Sequence, residues 1–125
     1  MVMLFSCNAG KTFNKAEDAQ DAGRQFIRAS LDGDYEKARF YLLSDSVNLL
    51  LISKWQRDFD QLDANTRQQY REASILPINI HEVNDSVTMY SYSNSYRKDT
   101  TTVRIVRVNG EWLVDLKEIL NQKHG

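Results

Sequence analysis

The sequence predicts an α+β fold, with N-terminal helices packed on one face of a curved four-stranded antiparallel sheet. Three observations predict it. Apolar residues recur with a helical period from Ala16 to Leu62 and switch to strand-like alternation after Ala73. The stretch from Thr100 to Leu116 is two strand-like runs joined by Asn109-Gly110, the strongest short-range hairpin signal. The 125 residues, 42% of them apolar, suffice for one domain with a real core.

The hairpin fixes a register. Asn and Gly both tolerate positive φ, as a type I′ turn requires, and such a turn sets Val108 opposite Glu111. Arg107 then faces Trp112, Ile105 faces Val114 and Val103 faces Leu116, which makes one face almost wholly apolar. The other face sets Arg104 opposite Asp115, as a cross-strand ion pair, and Val106 opposite Leu113. A sheet with one apolar face needs a cover, and the preceding helices supply it.

In chain order, Met1-Val2-Met3-Leu4-Phe5-Ser6-Cys7 comes first. Leu4-Phe5-Ser6-Cys7 resembles a bacterial lipobox, in which the cysteine is diacylated and becomes the mature N-terminus. The apolar run is short and has no basic residue before it, so this reading puts the natural start upstream of Met1. The simpler reading is an apolar start with an incidental cysteine. Asn8 to Lys15 reads as a linker. Gly10-Lys11-Thr12 echoes the tail of a P-loop, but Phe5 stands where the earlier glycine belongs and no strand precedes it.

Ala16 to Leu31 reads as a helix with Ala19, Ala22, Gly23, Phe26, Ile27 and Ser30 on the buried stripe, Gly23 marking a close approach. Gly33 is read as its C-terminal cap and Asp34 as the cap of the next helix, Tyr35 to Leu43, rather than as part of a calcium loop. Ser44-Asp45-Ser46 restarts the chain. Val47 to Leu62 is a third helix with Val47, Leu51, Trp55, Phe59 and Leu62 inward. Leu49, Leu50 and Ile52 widen its apolar surface, which predicts burial on two sides or an interface. Asp63 caps a polar, peripheral helix, Ala64 to Ala73.

Ile75 to Val83 reads as a strand with Ile78 and Ile80 on one face, and Pro77 confines its start to an edge or a bulge. Asn84-Asp85 turns it into Val87 to Tyr96, which carries Val87 and Met89 on one face and Tyr90, Tyr92 and Tyr96 on the other. Lys117 to Gly125 trails off. The expected division is residues 1–15 as signal remnant and linker, 16–120 as one domain and 121–125 as a tail.

Two segments carry a family resemblance: Phe26 to Ala38, with its Asp32-Gly33-Asp34-Tyr35-Glu36-Lys37-Ala38, and the final Asn109-Gly110-Glu111-Trp112-Leu113-Val114. Over residues 16 to 118 the chain resembles the small bacterial lipoproteins of domain of unknown function 4878, cystatin-like relatives of the nuclear-transport-factor-2-like superfamily. The resemblance implies a cone, with long helices in the concavity of a bent sheet and a pocket between them. Some relatives are isomerases or cyclases that use Asp, His or Tyr inside the cone. No such motif maps onto this sequence, so the resemblance assigns no catalytic residue.

Candidate sites come from the residues themselves. His81 lies in the first strand opposite Thr88, as a general base or, more simply, a hydrogen-bonded sheet histidine. His124 sits near the C-terminus and carries no argument. Tyr90, Tyr92 and Tyr96 form the most ligand-like surface, with Trp55 and Trp112 as further walls if the cone is open, since aromatic faces with polar tips bind planar or amphipathic groups. The simpler reading is that the tyrosines stack across strands and the tryptophans anchor the core. Asn84-Asp85-Ser86 fits a glycosylation sequon that its turn already explains.

The net charge of −1 gives no basic field for nucleic acid, and the single cysteine excludes an internal disulfide. No metal or cofactor motif stands out, so none is expected. The leading expectation is a non-enzymatic domain in the cell envelope, facing the periplasm or the exterior. It would be held to the membrane by lipid on Cys7 and would bind a small apolar ligand or an envelope protein. The rivals are an isomerase- or cyclase-like enzyme in the cone, a homodimeric module joined through the sheet, and, if Cys7 is not lipidated, a cytoplasmic location.

Overall fold

Each helix starts where an aspartate caps it. The computed structural model describes residues 12–121. The lipobox-like motif with Cys7, and His124, lie outside the described residues. Helix α1 (Ala19–Asp32) begins after Asp18, whose carboxylate accepts the Asp21 N–H at 2.8 Å, so it starts later than its apolar pattern suggests. Asp34, Asp45 and Asp63 cap α2 (Tyr35–Phe40), α3 (Ser46–Asp60) and α4 (Ala64–Glu72) in the same way. Between α1 and α2 the chain reverses on Gly33, at φ +77°. The Gly33 N–H donates to the Ser30 carbonyl and that of Asp34 to the Ala29 carbonyl, a Schellman closure.

The sheet is an antiparallel meander, in order, of β1 (Ile75–Asn84), β2 (Val87–Asn94), β3 (Thr101–Val108) and β4 (Glu111–Asp115). The β3–β4 hairpin has the expected register from Arg104–Asp115 to Val108–Glu111. Asn109 at φ +52° and Gly110 at φ +79° take the positive values of a type I′ turn. Val103, Ile105, Val114 and Leu116 are fully buried under the helices, together with Phe26, Ile27 and Ile52. At Gly23 the helix lies against the sheet: a Cβ there would stand 3.0 Å from Ile105 Cδ1 and 3.2 Å from the Tyr90 ring.

Several expectations are corrected. Helix α2 ends at Phe40, because Tyr41 to Leu43 instead runs along the outer edge of β4. The Leu43 N–H donates to the Val114 carbonyl at 2.8 Å and the Val114 N–H to the Tyr41 carbonyl at 2.7 Å, which covers that edge. Strand β4 stops before a Val103–Leu116 pair, and the Leu116 N–H is taken by Asn48 Oδ1 at 2.7 Å. Asp115 makes no cross-strand ion pair with Arg104; it accepts from Asn48 Nδ2 at 3.1 Å and pairs with Lys117 at 3.1 Å. Of the expected inward residues of α3, Leu51, Trp55, Phe59 and Leu62 do pack on the core, but Asn48 and Ile52 beside them are the most deeply buried, so the inward surface is broader than the expected stripe. Val47, Leu49 and Leu50 face outward, Leu50 being 72% exposed.

Strand β1 lies at an edge and bulges just after Pro77, which satisfies both constraints on that proline. The bulge leaves Ile78 unpaired and 56% exposed, while Ile80 alone of the two turns toward the core. The turn is Asp85-Ser86 rather than Asn84-Asp85, and a second irregularity between Glu82 and Asn84 moves His81 opposite Met89. His81 is therefore exposed on the face away from the helices. Tyr96 falls beyond β2 and packs its ring edge-on against Tyr70. The described end of the expected linker rests on the domain: Phe13 stacks near Phe40, and the Asn14 carbonyl accepts from the Tyr41 hydroxyl at 2.6 Å. Beyond β4, a 3-10 helix (Leu116–Asn121) packs Ile119 on the core rather than trailing away. Among the described residues no helix is long and apolar enough to cross a membrane.

Candidate functional site: an aromatic cavity between the helices and the sheet

Helix α1 touches the sheet at Gly23 but not along its whole length. Toward its C-terminal end a cavity of about 290 Å³ opens between α1, α3, α4 and the β2–β3 end of the sheet. Ile27 and Leu31 of α1 form one wall and Leu62 part of another. The remaining surface is largely aromatic. Tyr35 opens α2, Trp55 and Phe59 come from α3, Tyr70 from α4 and Tyr92 from β2. The rings brace one another: Tyr35 meets Phe59 edge-on at 6.1 Å between centroids, and Trp55 packs on the buried Phe26 ring at 5.9 Å. Phe59 also fixes the neighbouring turn, since a Cβ on Gly33 would come within 2.5 Å of its Cε1.

Polar groups are few. The Tyr35 hydroxyl donates to the Trp55 carbonyl at 3.4 Å. Burial raises the Tyr35 pKa first; the Asp60 and Asp58 carboxylates raise it further, against the opposing charge of Arg39. Burial likewise raises Tyr92, partly offset by a hydrogen bond with the Thr101 side chain. Both phenols thus stay neutral far above physiological pH. Asp58 and Asp99 stand at the rim, with 59% and 80% of their side chains exposed, in ion pairs with Lys54 at 2.8 Å and Arg97 at 3.3 Å. Among the described residues they are the only charged ones lining the cavity. Arg71 lies over the Phe59 ring, 5.9 Å from its centroid, without lining the space.

Of the residues singled out in the sequence, Tyr92 and Trp55 meet in this cavity. Tyr90 does not line it: it is buried under Gly23, its ring 6.2 Å from that of Tyr92. Trp112 is at the other end of the sheet's inner face, half-buried, with the Arg107 guanidinium 5.6 Å from its ring centroid. There it borders a separate, more polar depression with Ile80, Thr88 and the Asp18–Gln20 turn. Phe59 reads in sequence as a plain inward residue, Tyr35 as the start of a helix and Tyr70 as part of a peripheral helix. The signal that joins them is an aromatic residue at the same end of successive elements, visible only once the elements are placed.

No family model matches this chain, and no curated protein matches it. The chemistry of the site rests on its own residues.

Proposed function

We propose that this protein binds a small molecule with an apolar body in the cavity between α1, α3 and the sheet, and that it does so without catalysis. The single observation that carries this reading is the convergence of Tyr35, Trp55, Phe59, Tyr70 and Tyr92 on one open cavity, with few polar groups to fix orientation. The catalytic rival needs a histidine or carboxylate held inward beside a tyrosine. His81 faces the other side of the sheet, and the two carboxylates stand in ion pairs at the solvent rim. Native mass spectrometry of protein from its own cells is expected to show a retained small molecule that Ser30→Phe, which fills the cavity, releases. A bare polypeptide mass for the wild type, together with no probe that raises its Tm, removes the reading.

The proposal extends to location, a membrane anchor through diacylated Cys7 with the domain outside the cytoplasm, and the lipobox-like Leu4-Phe5-Ser6-Cys7 and the resemblance to envelope lipoproteins support it. Two or more acyl chains hold a protein stably where one does not. Radiolabelled palmitate is expected in the native protein, expressed with any upstream codons, and not in Cys7→Ser. Equal absence of label from both forms leaves a domain without an anchor.

A second reading, pairing of two copies through the sheet, is favoured by β1. Leu76, Ile78 and Val83 are exposed on this edge strand, and among the described residues no element pairs with its outer side. Analytical ultracentrifugation is expected to give a dimer that Ile78→Lys converts to monomer; a wild-type monomer at high concentration excludes it.

A further inference from the structure

We propose that the cavity's ligand is a small organic cation, an alkylated ammonium group on a short apolar body. The inference rests on the cavity being a binding site and adds the charge of what it holds. Aromatic rings present negative π faces, and rings arranged around one space attract a cation that is weakly hydrated. Five of the lining residues are Tyr, Trp or Phe, and among the described residues no lysine or arginine lines the space. Among the described residues the only formal charges on its surface are Asp58 and Asp99.

The field inside agrees in sign. At the Tyr35 hydroxyl, Asp60 and Asp58 outweigh Arg39. Lys54 and Arg97 satisfy the rim carboxylates only through exposed ion pairs, which a ligand cation can exchange at little cost. Arg71 lies over the Phe59 ring, 5.9 Å from its centroid, so Phe59 contributes least and Tyr35, Trp55, Tyr70 and Tyr92 are left for the ligand. A bare metal ion does not suit the site. Hard cations require six or more oxygen ligands, and among the described residues no group of three His, Cys, Asp or Glu converges anywhere. An anion, such as a fatty carboxylate, finds no lysine or arginine among the described lining residues to pair with, and the cations at the rim are already held by Asp58 and Asp99.

The test uses the full chain with Trp112→Phe, so that Trp55 is the only tryptophan and reports from the wall. Choline is titrated against 3,3-dimethylbutan-1-ol, its neutral carbon isostere, and against 3,3-dimethylbutanoate. Choline is expected to bind about fivefold or more tighter than the alcohol, the order of one solvent-accessible cation–π contact, and the carboxylate weakest. In the double variant Asp58→Asn/Asp99→Asn, whose substituted residues are exposed, choline's preference is expected to fall at unchanged Tm. A smaller ratio for the wild type, or tighter binding of the alcohol, overturns the cation and leaves the apolar-ligand reading standing. Silence from all three probes overturns both. A preference unchanged in the double variant removes the carboxylates from the proposal.

Discussion

The two ends of α3 are held in different ways. Its N-terminal end is fixed by directed hydrogen bonds: Asn48 bridges the Asp115 carboxylate and the Leu116 N–H, and Lys117 pairs with both Asp45 and Asp115. Its C-terminal end, with Trp55 and Phe59, is held by ring packing around an incompletely filled space. Hydrogen bonds specify one position, whereas aromatic packing beside a cavity tolerates small shifts of the rings. One helix thus anchors to the sheet at one end and offers an adaptable wall at the other. The cavity stays open because the Gly23 contact and the Asn48 clamp set the separation of the layers elsewhere.

The largest effect is expected at the adaptable end, from Gly33→Val. The residue sits at φ +77°, where a β-branched side chain is strained by about 1–3 kcal/mol. The new Cβ also falls within 2.5 Å of Phe59, and forcing that ring aside adds roughly 1–3 kcal/mol of overpacking. Urea unfolding is expected to show the sum, and choline binding to be lost with the displaced ring. A loss of stability with intact binding would mean that Phe59 does not need its place in the wall.

Asn48→Leu comes next and tests the clamp. On hydrophobic pattern alone a leucine on the inward stripe of α3 improves the core. The structure predicts the opposite, a loss of about 1–3 kcal/mol, because the buried Asp115 carboxylate and Leu116 N–H each lose a partner. Binding in the cavity is expected to persist in the folded protein. Stabilisation by Asn48→Leu would reduce the comparison between the two ends to one of packing alone.

Asn48 also marks the limit of what the sequence discloses. The hairpin was legible because Asn109-Gly110 dictates a local geometry and the register follows from it. The caps at Asp34 and Asp63 and the close approach at Gly23 were legible for the same reason: each is a property of a few adjacent residues. The burial of Asn48 on α3 was not, because this polar residue finds its partners in Asp115 and Leu116, far along the chain. The register of β1 was lost to two bulges that no residue except Pro77 announces. The site was half legible. Trp55 and Tyr92 stand out as aromatic residues, but their meeting, and the separation of Trp112 from them, depends on where α1 leaves the sheet.

A smaller effect is expected from Ser30→Phe, which adds a ring to the open space without removing a core contact. The Ser30 hydroxyl bonds only to the Phe26 carbonyl within its own helix. Stability is expected to change by about 1 kcal/mol or less, while choline no longer quenches Trp55. A large loss of stability would show the space to be tighter than about 290 Å³ and its walls less adaptable than the comparison holds.

The smallest effect belongs to the outer part of the clamp, and pH resolves it. Hydrogen bonding from Lys117, then the Asn48 N–H, holds the Asp45 carboxyl below its ordinary range, and the same pair raises Lys117. A depressed carboxyl contributes stability that is present above its unfolded pKa, about 4, and is lost as pH falls through the folded value. A raised lysine contributes stability that is present below its unfolded pKa, about 10.4, and is lost as pH rises through the folded value. The Tm difference between wild type and Lys117→Met is therefore expected to be flat between about pH 5 and 9 and to shrink at both extremes. Both side chains are more than one-third exposed, so salt should diminish the difference too. A difference that persists at low pH would assign Lys117 to packing over the 3-10 helix, and Asn48 alone would then anchor this end of α3.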